Sequence, residues 1–312
     1  MIRTILGDVQ NPEGPMLGHE HLQIDLSHNK GEDNVLGVDE ERSIIDDLRY
    51  VVARHGLRFV ADLSVPGGGR DAEALARIAQ QTGLHVVCAT GFYWDPVSDW
   101  VRESSLANLR DIMIREVQTG IGESGLRCGT IKVGTNHTEL DAVFEKIFRA
   151  AAAASRLTGT SIITHTTKPE QATWQLDVLE DAGADLSHVL ISHLHKANNF
   201  SEILAVGKRG AFIGFDQLGF KKGPTIDQVA DMVVQVIAHG LGKQLILSAD
   251  IARKSRLRAN GGVGYETTFS ECLPLLRQRH VPETQIHQIM YDNPLNVFSI
   301  RQDLIVAGDQ NE

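Results

Sequence analysis

The amino-acid sequence predicts an α/β fold, a single (β/α)8 TIM barrel that spans residues 1–312 as one domain. Short apolar segments rich in β-branched residues alternate with segments of helical periodicity along the whole chain. Eight such alternations favour a closed parallel barrel. An open, doubly wound sheet would need a glycine-rich phosphate-binding turn after its first strand, and Gly67-Gly68-Gly69 lacks the spacing of that motif.

The predicted strands and helices follow one another in a regular order. Strands are predicted at residues 16–22, 58–64, 84–90, 128–133, 161–165, 189–193, 211–215 and 244–250. Helical spacing predicts helices at residues 39–54, 71–81, 106–118, 140–156, 170–181 and 225–238. Glycines such as Gly83, Gly159 and Gly183 lie between a predicted helix and the next strand, as C-capping glycines do.

Composition limits the partners and the compartment. The chain has 30 Lys and Arg against 40 Asp and Glu, a formal net charge of −10, which argues against nucleic acid and anionic membranes as partners. Its three cysteines, Cys88, Cys128 and Cys272, lack the spacing of a disulfide framework. No apolar segment is long enough for a membrane span, and the first residues lack the pattern of a signal peptide. We expect a cytoplasmic protein with a small-molecule substrate.

Polar side chains end several of the predicted strands, where the active-site mouth of a barrel is found. The first strand ends in His19-Glu20-His21, and strand alternation places both imidazoles on one face. The other candidates are Lys132, His165, His193 and Asp250, which come from four further strands. Any one of them could be a hydrogen-bonded core residue, but their common location predicts a metal site.

The residue types indicate the chemistry of this site. Imidazole and carboxylate ligands suit zinc, and also manganese, cobalt or iron, so zinc is the default expectation. Lys132 cannot bind a cation as an ammonium ion, but its neutral amine could react with carbon dioxide to give an anionic carbamate that bridges two metal ions. Hydroxide held between such ions would be a strong nucleophile, and Asp250 is the predicted catalytic residue that accepts its proton.

Five segments carry a resemblance to a known family, and they span most of the chain. In order they are Gly18-His19-Glu20-His21-Leu22, Ile131-Lys132-Val133-Gly134-Thr135, Thr164-His165-Thr166, Ile191-Ser192-His193 and Ser248-Ala249-Asp250. They resemble the phosphotriesterase family of the amidohydrolase superfamily, and the sequence after Asp250 is similar to the phosphotriesterase homology protein branch.

The resemblance implies a binuclear metal centre at the carboxyl ends of the strands, with carboxylated Lys132 as the bridge. Its metal ligands would divide into His19, His21 and Asp250 on one ion and His165 and His193 on the other. Members of the homology branch can carry Glu at the bridging position, so Lys132 follows the broader family. The family's barrels tend to form homodimers.

The predicted substrate-binding residues are Tyr93, Lys222, Arg253, Lys254 and Tyr265. Tyr93 belongs to an aromatic segment at residues 91–96, which could line a pocket or merely cover the barrel. The cations could bind an anionic or phosphorylated substrate, or lie in solvent.

Four hypotheses about function follow. The leading one is a hydrolase that acts on ester-type bonds, in lactones or phosphoesters, with phosphorylated sugar lactones as a subset. An amidohydrolase that cleaves a C–N bond would use the same centre, and a hydrolysis screen separates the two. The others are a non-catalytic, metal-containing barrel that binds a small ligand, and a barrel with polar core residues and no metal.

Overall fold

Eight parallel strands form a nearly closed barrel in the computed structural model, which describes residues 1–93, 97–135, 142–197 and 199–302. The strands are β1 (Met16–Glu20), β2 (Phe59–Asp62), β3 (His85–Thr90), β4 (Thr130–Thr135), β5 (Ser161–Thr166), β6 (Val189–Ile191), β7 (Phe212–Phe215) and β8 (Leu245–Leu247). Each pairs in parallel with its neighbour in sequence order. The predicted (β/α)8 fold is confirmed.

Helices follow the strands around the outside of the barrel. They are α1 (Glu41–His55), α2 (Ala72–Thr82), α3 (Leu106–Gln118), α4 (Ala142–Thr158), α5 (Gln171–Asp181), α6 (Phe200–Lys208), α7 (Ile226–Ala238), α8 (Leu273–Gln278), α9 (Glu283–His287) and α10 (Asn293–Phe298). Short helices at Ser27–Lys30 and Asp99–Glu103, and two hairpins, Ile2–Thr4 with Gly7–Val9 and Ile24–Asp25 with Val35–Leu36, complete the main elements.

The sequence pattern does not predict α6 or the carboxyl-terminal helices α8 to α10. Helix α6 has only nine residues, too few for a clear amphipathic repeat. The carboxyl-terminal helices are interrupted by π-helical turns at Thr268–Cys272 and Gln288–Asp292, which shift the period of the apolar residues. By contrast, α2 ends as predicted at Gly83, whose φ of 72° suits a residue without a Cβ atom.

Six of the eight strands end at other residues than the sequence predicts, and β4, β6 and β8 are among them. Strand β4 continues to Thr135, so Lys132 lies in its middle. Strands β6 and β8 end early, so His193 and Asp250 follow them in turns. Both residues have left-handed backbone conformations, with φ of 66° and 51°, so the chain changes direction at these two residues.

A buried carboxylate closes the seam between β1 and β8, which share no regular ladder of backbone hydrogen bonds. The Glu20 carboxylate accepts hydrogen bonds from the Ser248 hydroxyl (2.8 Å) and from the backbone N–H groups of Ala249 (2.9 Å) and Ile251 (2.8 Å). The strands approach closely at Gly18, where a Cβ atom would lie 2.9 Å from the Ile246 side chain. Glycine and a buried acid therefore complete the barrel.

The two ends of the barrel differ in polarity. Alternate strand residues fill the interior with apolar side chains, and Ile2, Val297 and Phe298 extend this cluster beneath the amino ends of the strands. The opposite faces of the strands pack against the helices in a second, larger apolar cluster. Among the described residues, no helix combines the length and apolar character needed to cross a membrane. The amino end of the barrel is therefore filled by apolar side chains, and the polar side chains lie at the carboxyl end.

Candidate metal centre

Five imidazole and carboxylate side chains meet at the carboxyl end of the barrel. His19 lies on β1 and His21 just beyond it, His165 lies on β5, and His193 and Asp250 lie beyond β6 and β8. All except His165, which is half-buried, are buried. They meet because the carboxyl ends of parallel barrel strands share one mouth. The structure therefore brings together all five of the imidazole and carboxylate ligands that the sequence predicts.

The Asp250 carboxylate lies among the imidazoles. Its Oδ1 is 3.1 Å from Nε2 of His21 and 3.8 Å from Nε2 of His19, and its Oδ2 is 4.0 Å from Nε2 of His193. Nδ1 of His165 lies 3.0 Å from Nε2 of His193. His19, His21 and Asp250 have ligand atoms close enough together to share one metal ion.

Asp216 orients two of these imidazoles, a role that the sequence analysis did not assign. Its Oδ2 lies 2.7 Å from Nδ1 of His19, and its Oδ1 accepts from the backbone N–H of His193 and lies 2.8 Å from Nδ1 of that residue. Because a carboxylate only accepts, each Nδ1 carries a proton, and each Nε2 presents a lone pair. Asp216 is thus placed to support two candidate metal ligands, because it contacts Nδ1 of each ring rather than Nε2.

The electrostatics favour this protonation pattern. Burial lowers the pKa of His19 to about 4, and the nearby positive charge of Lys132 acts in the same direction. Burial also lowers the pKa of His193. Burial would raise the pKa of Asp216, but the two imidazoles beside it hold that pKa well below its ordinary value. A neutral, oriented imidazole is the form that binds a metal ion.

Lys132 is buried within the same group. Its Nζ lies 3.4 Å from Nε2 of His19 and 3.3 Å from the Thr164 carbonyl oxygen, and no carboxylate of the described residues lies within 4.0 Å of it. Burial lowers the pKa of Lys132 to about 8, against the opposing attraction of Asp216 and Asp250. The neutral amine is therefore accessible near physiological pH.

Two further buried carboxylates support the backbone beside the candidate ligands. Glu20 binds the N–H groups of Ala249 and Ile251, the residues on either side of Asp250. Asp62 accepts from the N–H of Leu22 (2.6 Å), immediately after His21. Burial raises the pKa of Glu20 to about 7 and raises that of Asp62 as well. Both groups fix the chain at the mouth of the barrel.

Neutral side chains complete the support. The Ser64 hydroxyl oxygen lies 2.8 Å from Nδ1 of His21. The Gln217 side chain donates through Nε2 to Oδ2 of Asp250 at 2.6 Å. Burial opposes ionisation of Asp250, but the imidazoles of His19 and His21 hold its pKa well below the ordinary value. Oδ1 of Asp250 is buried and makes no hydrogen bond within the described part of the chain, an arrangement that fits a metal ligand.

Comparison with known proteins places this site in a family. The chain matches the model of the phosphotriesterase family over residues 1–298. It belongs to the phosphotriesterase family. The resemblance inferred from the strand-end residues is thus confirmed.

The proteins that the chain is similar to carry different descriptions. The chain is 33% identical to the phosphotriesterase homology protein of Escherichia coli over 291 residues, 92% of this chain and 99% of that protein. The crystal structure of that protein, with phosphate in its active site, has a TM-score of 0.89 at 32% identity and covers 93% of this chain and 100% of that one.

A variant of a phosphotriesterase-like lactonase of Deinococcus radiodurans matches with a TM-score of 0.84 at 26% identity, over 96% of this chain and 100% of that one. The human N-acetyltaurine hydrolase is 28% identical over 269 residues, 82% of this chain and 76% of that protein. Proteins at this level of similarity thus include a phosphotriesterase-like lactonase and an N-acetyltaurine hydrolase.

The two tyrosines predicted to bind substrate lie in different environments. The ring of Tyr93 is buried, 5.5 Å from the ring of His165 and 5.6 Å from Nζ of Lys132, so it borders the candidate centre. Residues 94–96 of the same aromatic segment lie outside the described residues. Tyr265 is fully buried, and its hydroxyl donates to the His21 carbonyl oxygen at 2.8 Å. That contact supports the backbone at the end of β1.

The three predicted cations are not gathered at one point. The guanidinium of Arg253 lies over the Phe220 ring, 5.4 Å from its centre. Nζ of Lys254 pairs with the Glu40 carboxylate at 2.8 Å. Lys222 is exposed in the loop after β7. Substrate binding by these three cations and by the two tyrosines stays a prediction.

Proposed function

We propose that the protein is a metal-dependent hydrolase that cleaves an ester-type bond, in a lactone or a phosphoester. The observation that carries this proposal is the convergence of Nε2 of His19 and His21 on Asp250, with Nδ1 of His19 and of His193 facing Asp216. A hydrogen-bonded polar core would not need this arrangement, whereas a metal-binding imidazole commonly donates its other ring N–H to a carboxylate.

His19, His21 and Asp250 would hold one ion of the proposed centre, His165 and His193 would hold the other, and Lys132 would contribute as its carbamate. The 3.0 Å between Nε2 of His193 and Nδ1 of His165 supports a shared ion. Divalent ions bound here would lower the pKa of water and polarise the oxygen of the scissile group.

The chain's own residues would transfer the proton, hold the imidazole tautomers and exclude bulk water. Asp250 is ionised and buried beside the candidate ligands, so it can accept a proton from the attacking water and return it to the leaving group. Asp216 maintains the tautomers of His19 and His193 throughout. The Tyr93 ring covers His165 and limits the access of bulk water from that side.

The substrate we propose is small, and anionic or phosphorylated members of the lactone and phosphoester classes are favoured. Arg253 and Lys222 place positive charge in the loops after β8 and β7. The phosphate bound in the active site of the E. coli relative supports an anionic group in the mouth. A phosphorylated sugar lactone would combine both features.

Amide hydrolysis is the second candidate, because several relatives are N-acetyltaurine hydrolases. Asp250 can return a proton to a leaving amine as well as to an alcohol. The two candidates therefore differ in the shape of the pocket around the substrate and not in the centre itself.

Metal analysis combined with a substrate library tests the proposal. Protein purified without chelator should contain two divalent ions per chain and hydrolyse lactones or phosphoesters. Lys132→Met should lower the metal content and abolish the carbamate signal from labelled bicarbonate, whereas Lys243→Met, a change at an exposed lysine beside the amino end of β8, should do neither. Turnover of amides alone would favour the second candidate, and protein without metal would contradict both.

A further inference from the structure

Gln217 has one half of its side-chain amide engaged and the other half unused. The residue lies two positions beyond β7, at the carboxyl end of the barrel, and only 8% of it is exposed. Its Nε2 donates to Oδ2 of Asp250 at 2.6 Å. Its Oε1 is equally buried but has no hydrogen-bond partner within the described residues.

The orientation of this amide follows from the chemistry of its partner. An ionised carboxylate can only accept, so the NH2 group of Gln217 must face Asp250, and the reversed amide would oppose two oxygen atoms. In a planar amide the oxygen and nitrogen are about 2.2 Å apart. Oε1 therefore lies within about 5 Å of Oδ2 of Asp250, the proposed proton acceptor.

An unpaired buried acceptor is costly, and native proteins keep few of them. Asp250 Oδ1 is a second such acceptor in the same region, and there the candidate metal ligation supplies the partner. Oε1 of Gln217 is a neutral amide oxygen, so it calls for a hydrogen-bond donor instead. Arg256, a nearby cation, already donates to the carbonyl oxygens of Ala249 and Leu218.

We infer that Gln217 is a specificity-determining residue whose Oε1 accepts a hydrogen bond from a substrate donor next to the scissile carbonyl. The inference rests on the proposed hydrolase function and deepens it. The donor is an O–H or N–H group, supplied either by a hydroxyl on a lactone ring or by the N–H of a secondary amide. A substrate without such a donor leaves Oε1 unpaired in the closed pocket and is discriminated against.

The same amide links substrate recognition to the proton acceptor. A donor bound to Oε1 polarises the Gln217 amide and strengthens the Nε2–H bond to Asp250, because hydrogen bonds in a chain reinforce one another. The correct substrate therefore fixes the carboxylate that manages the proton. Gln217 is a binding residue through Oε1 and a positioning residue through Nε2.

Pairs of substrates that differ in one donor test the inference. The lactone pair is α-hydroxy-γ-butyrolactone and γ-butyrolactone, and the amide pair is N-acetylglycine and its N-methyl analogue, N-acetylsarcosine. Wild-type protein should prefer the donor-bearing member of the pair that it hydrolyses by about tenfold in kcat/KM. In Gln217→Met this ratio should fall to about one, in addition to a common loss for both members. Which pair is hydrolysed identifies the source of the donor.

Two further variants separate specificity from folding. Gln217→Glu keeps an acceptor near Oε1 but places a second acid against Asp250, so both rates should fall while the ratio persists. Gln235→Met makes the same substitution on an exposed face of α7 and should change neither rates nor ratio. A ratio near one in wild type, or an unchanged ratio in Gln217→Met with native melting temperature and metal content, would overturn the inference alone. Absence of any hydrolysis by metal-loaded wild type would overturn the proposed function with it.

Discussion

The two ends of β6 carry two histidines that are buried to the same extent and have different surroundings. His188 precedes the strand and His193 follows it, and each is 1% exposed. The His193 ring lies beside Asp216 and His165. Neither nitrogen of His188 has a hydrogen bond of normal geometry within the described residues, although the backbone of the α10 region is close.

The difference teaches that burial of a histidine is not the signal of a metal site. At the amino end of the barrel, His188 lies close to the backbone of Val297, a residue of the apolar cluster inside the barrel. At the carboxyl end, Asp216 fixes the tautomer of the ring and a second imidazole faces the same point. Orientation by a carboxylate, and convergence with other ligands, distinguish a candidate ligand from a core residue.

Separate substitutions of these two histidines should differ most in their effects on metal content and kcat/KM. His193→Asn keeps a residue that tolerates the left-handed backbone at this position but is too short to act as a ligand. We expect it to lose at least one metal ion per chain and to lower kcat/KM by about a thousandfold, equivalent to several kcal/mol of transition-state stabilisation. His188→Leu should retain the metal content and keep kcat/KM within about threefold of wild type.

Elemental analysis and steady-state assays on both variants test whether His193, and not His188, binds metal. Full metal content in His193→Asn would remove His193 from the proposed ligand set. Loss of metal from His188→Leu with an unchanged melting temperature would show that the amino end of the barrel affects the centre, and the contrast between the two ends would fail.

Removal of a charged hydrogen-bond partner of the imidazoles should lower metal affinity and kcat/KM more than removal of a neutral partner. Asp216→Asn replaces a carboxylate that serves both His19 and His193 with an amide that can also donate, so the tautomers are no longer fixed. We expect metal affinity or kcat/KM to fall by about 10- to 100-fold. Ser64→Ala removes one neutral partner of His21 and should cost about threefold to tenfold.

Metal titration with a competing chelator measures both effects on one scale. The comparison depends on intact folding, so circular dichroism should show unchanged melting for Ser64→Ala. Equal effects of the two substitutions would mean that the charge of Asp216 contributes nothing beyond an ordinary hydrogen bond.

The sequence could predict the fold and most of the candidate ligands because residues at the carboxyl ends of barrel strands face one mouth. His165 ends an apolar β-rich segment, and the position of such a residue in a barrel follows from chain direction alone. The sequence predicts the ends of strands and the carboxyl-terminal helices less exactly, because the backbone there departs from regular structure. The left-handed turns at His193 and Asp250 follow strands that end early, and the π-helical turns near the carboxyl terminus conceal helices.

The carboxylates that hydrogen-bond to the candidate ligands or to the backbone beside them could not be predicted, because these contacts join distant parts of the chain. Asp216 and His19 are separated by 197 positions, and Glu20 contacts the residues around Asp250 across the seam of the barrel. An acid after an apolar strand, as in Phe215-Asp216, was the available signal. Side-chain direction decided that Asp216 faces Nδ1 atoms, and sequence spacing does not contain that information.

The smallest expected effect concerns His188 and pH. Burial lowers the pKa of His188 to about 4, and the charge of Arg301 acts in the same direction, while Asp185 opposes them. An unfolded histidine has a pKa of about 6.5. The unfolded state therefore binds the proton more tightly, so the contribution of neutral His188 is fully present above pH 6.5 and is lost as pH falls towards 4.

At pH 5 this loss amounts to about 2 kcal/mol of the free energy of unfolding. His188→Leu cannot take up the proton, so its unfolding free energy should fall by about 2 kcal/mol less than that of wild type between pH 7.5 and pH 5. Urea unfolding of metal-free protein at both pH values isolates this term from metal release. Parallel pH dependences would mean that His188 shares its proton with the backbone near Val297 and Ser299, and that both ends of β6 hold partnered histidines.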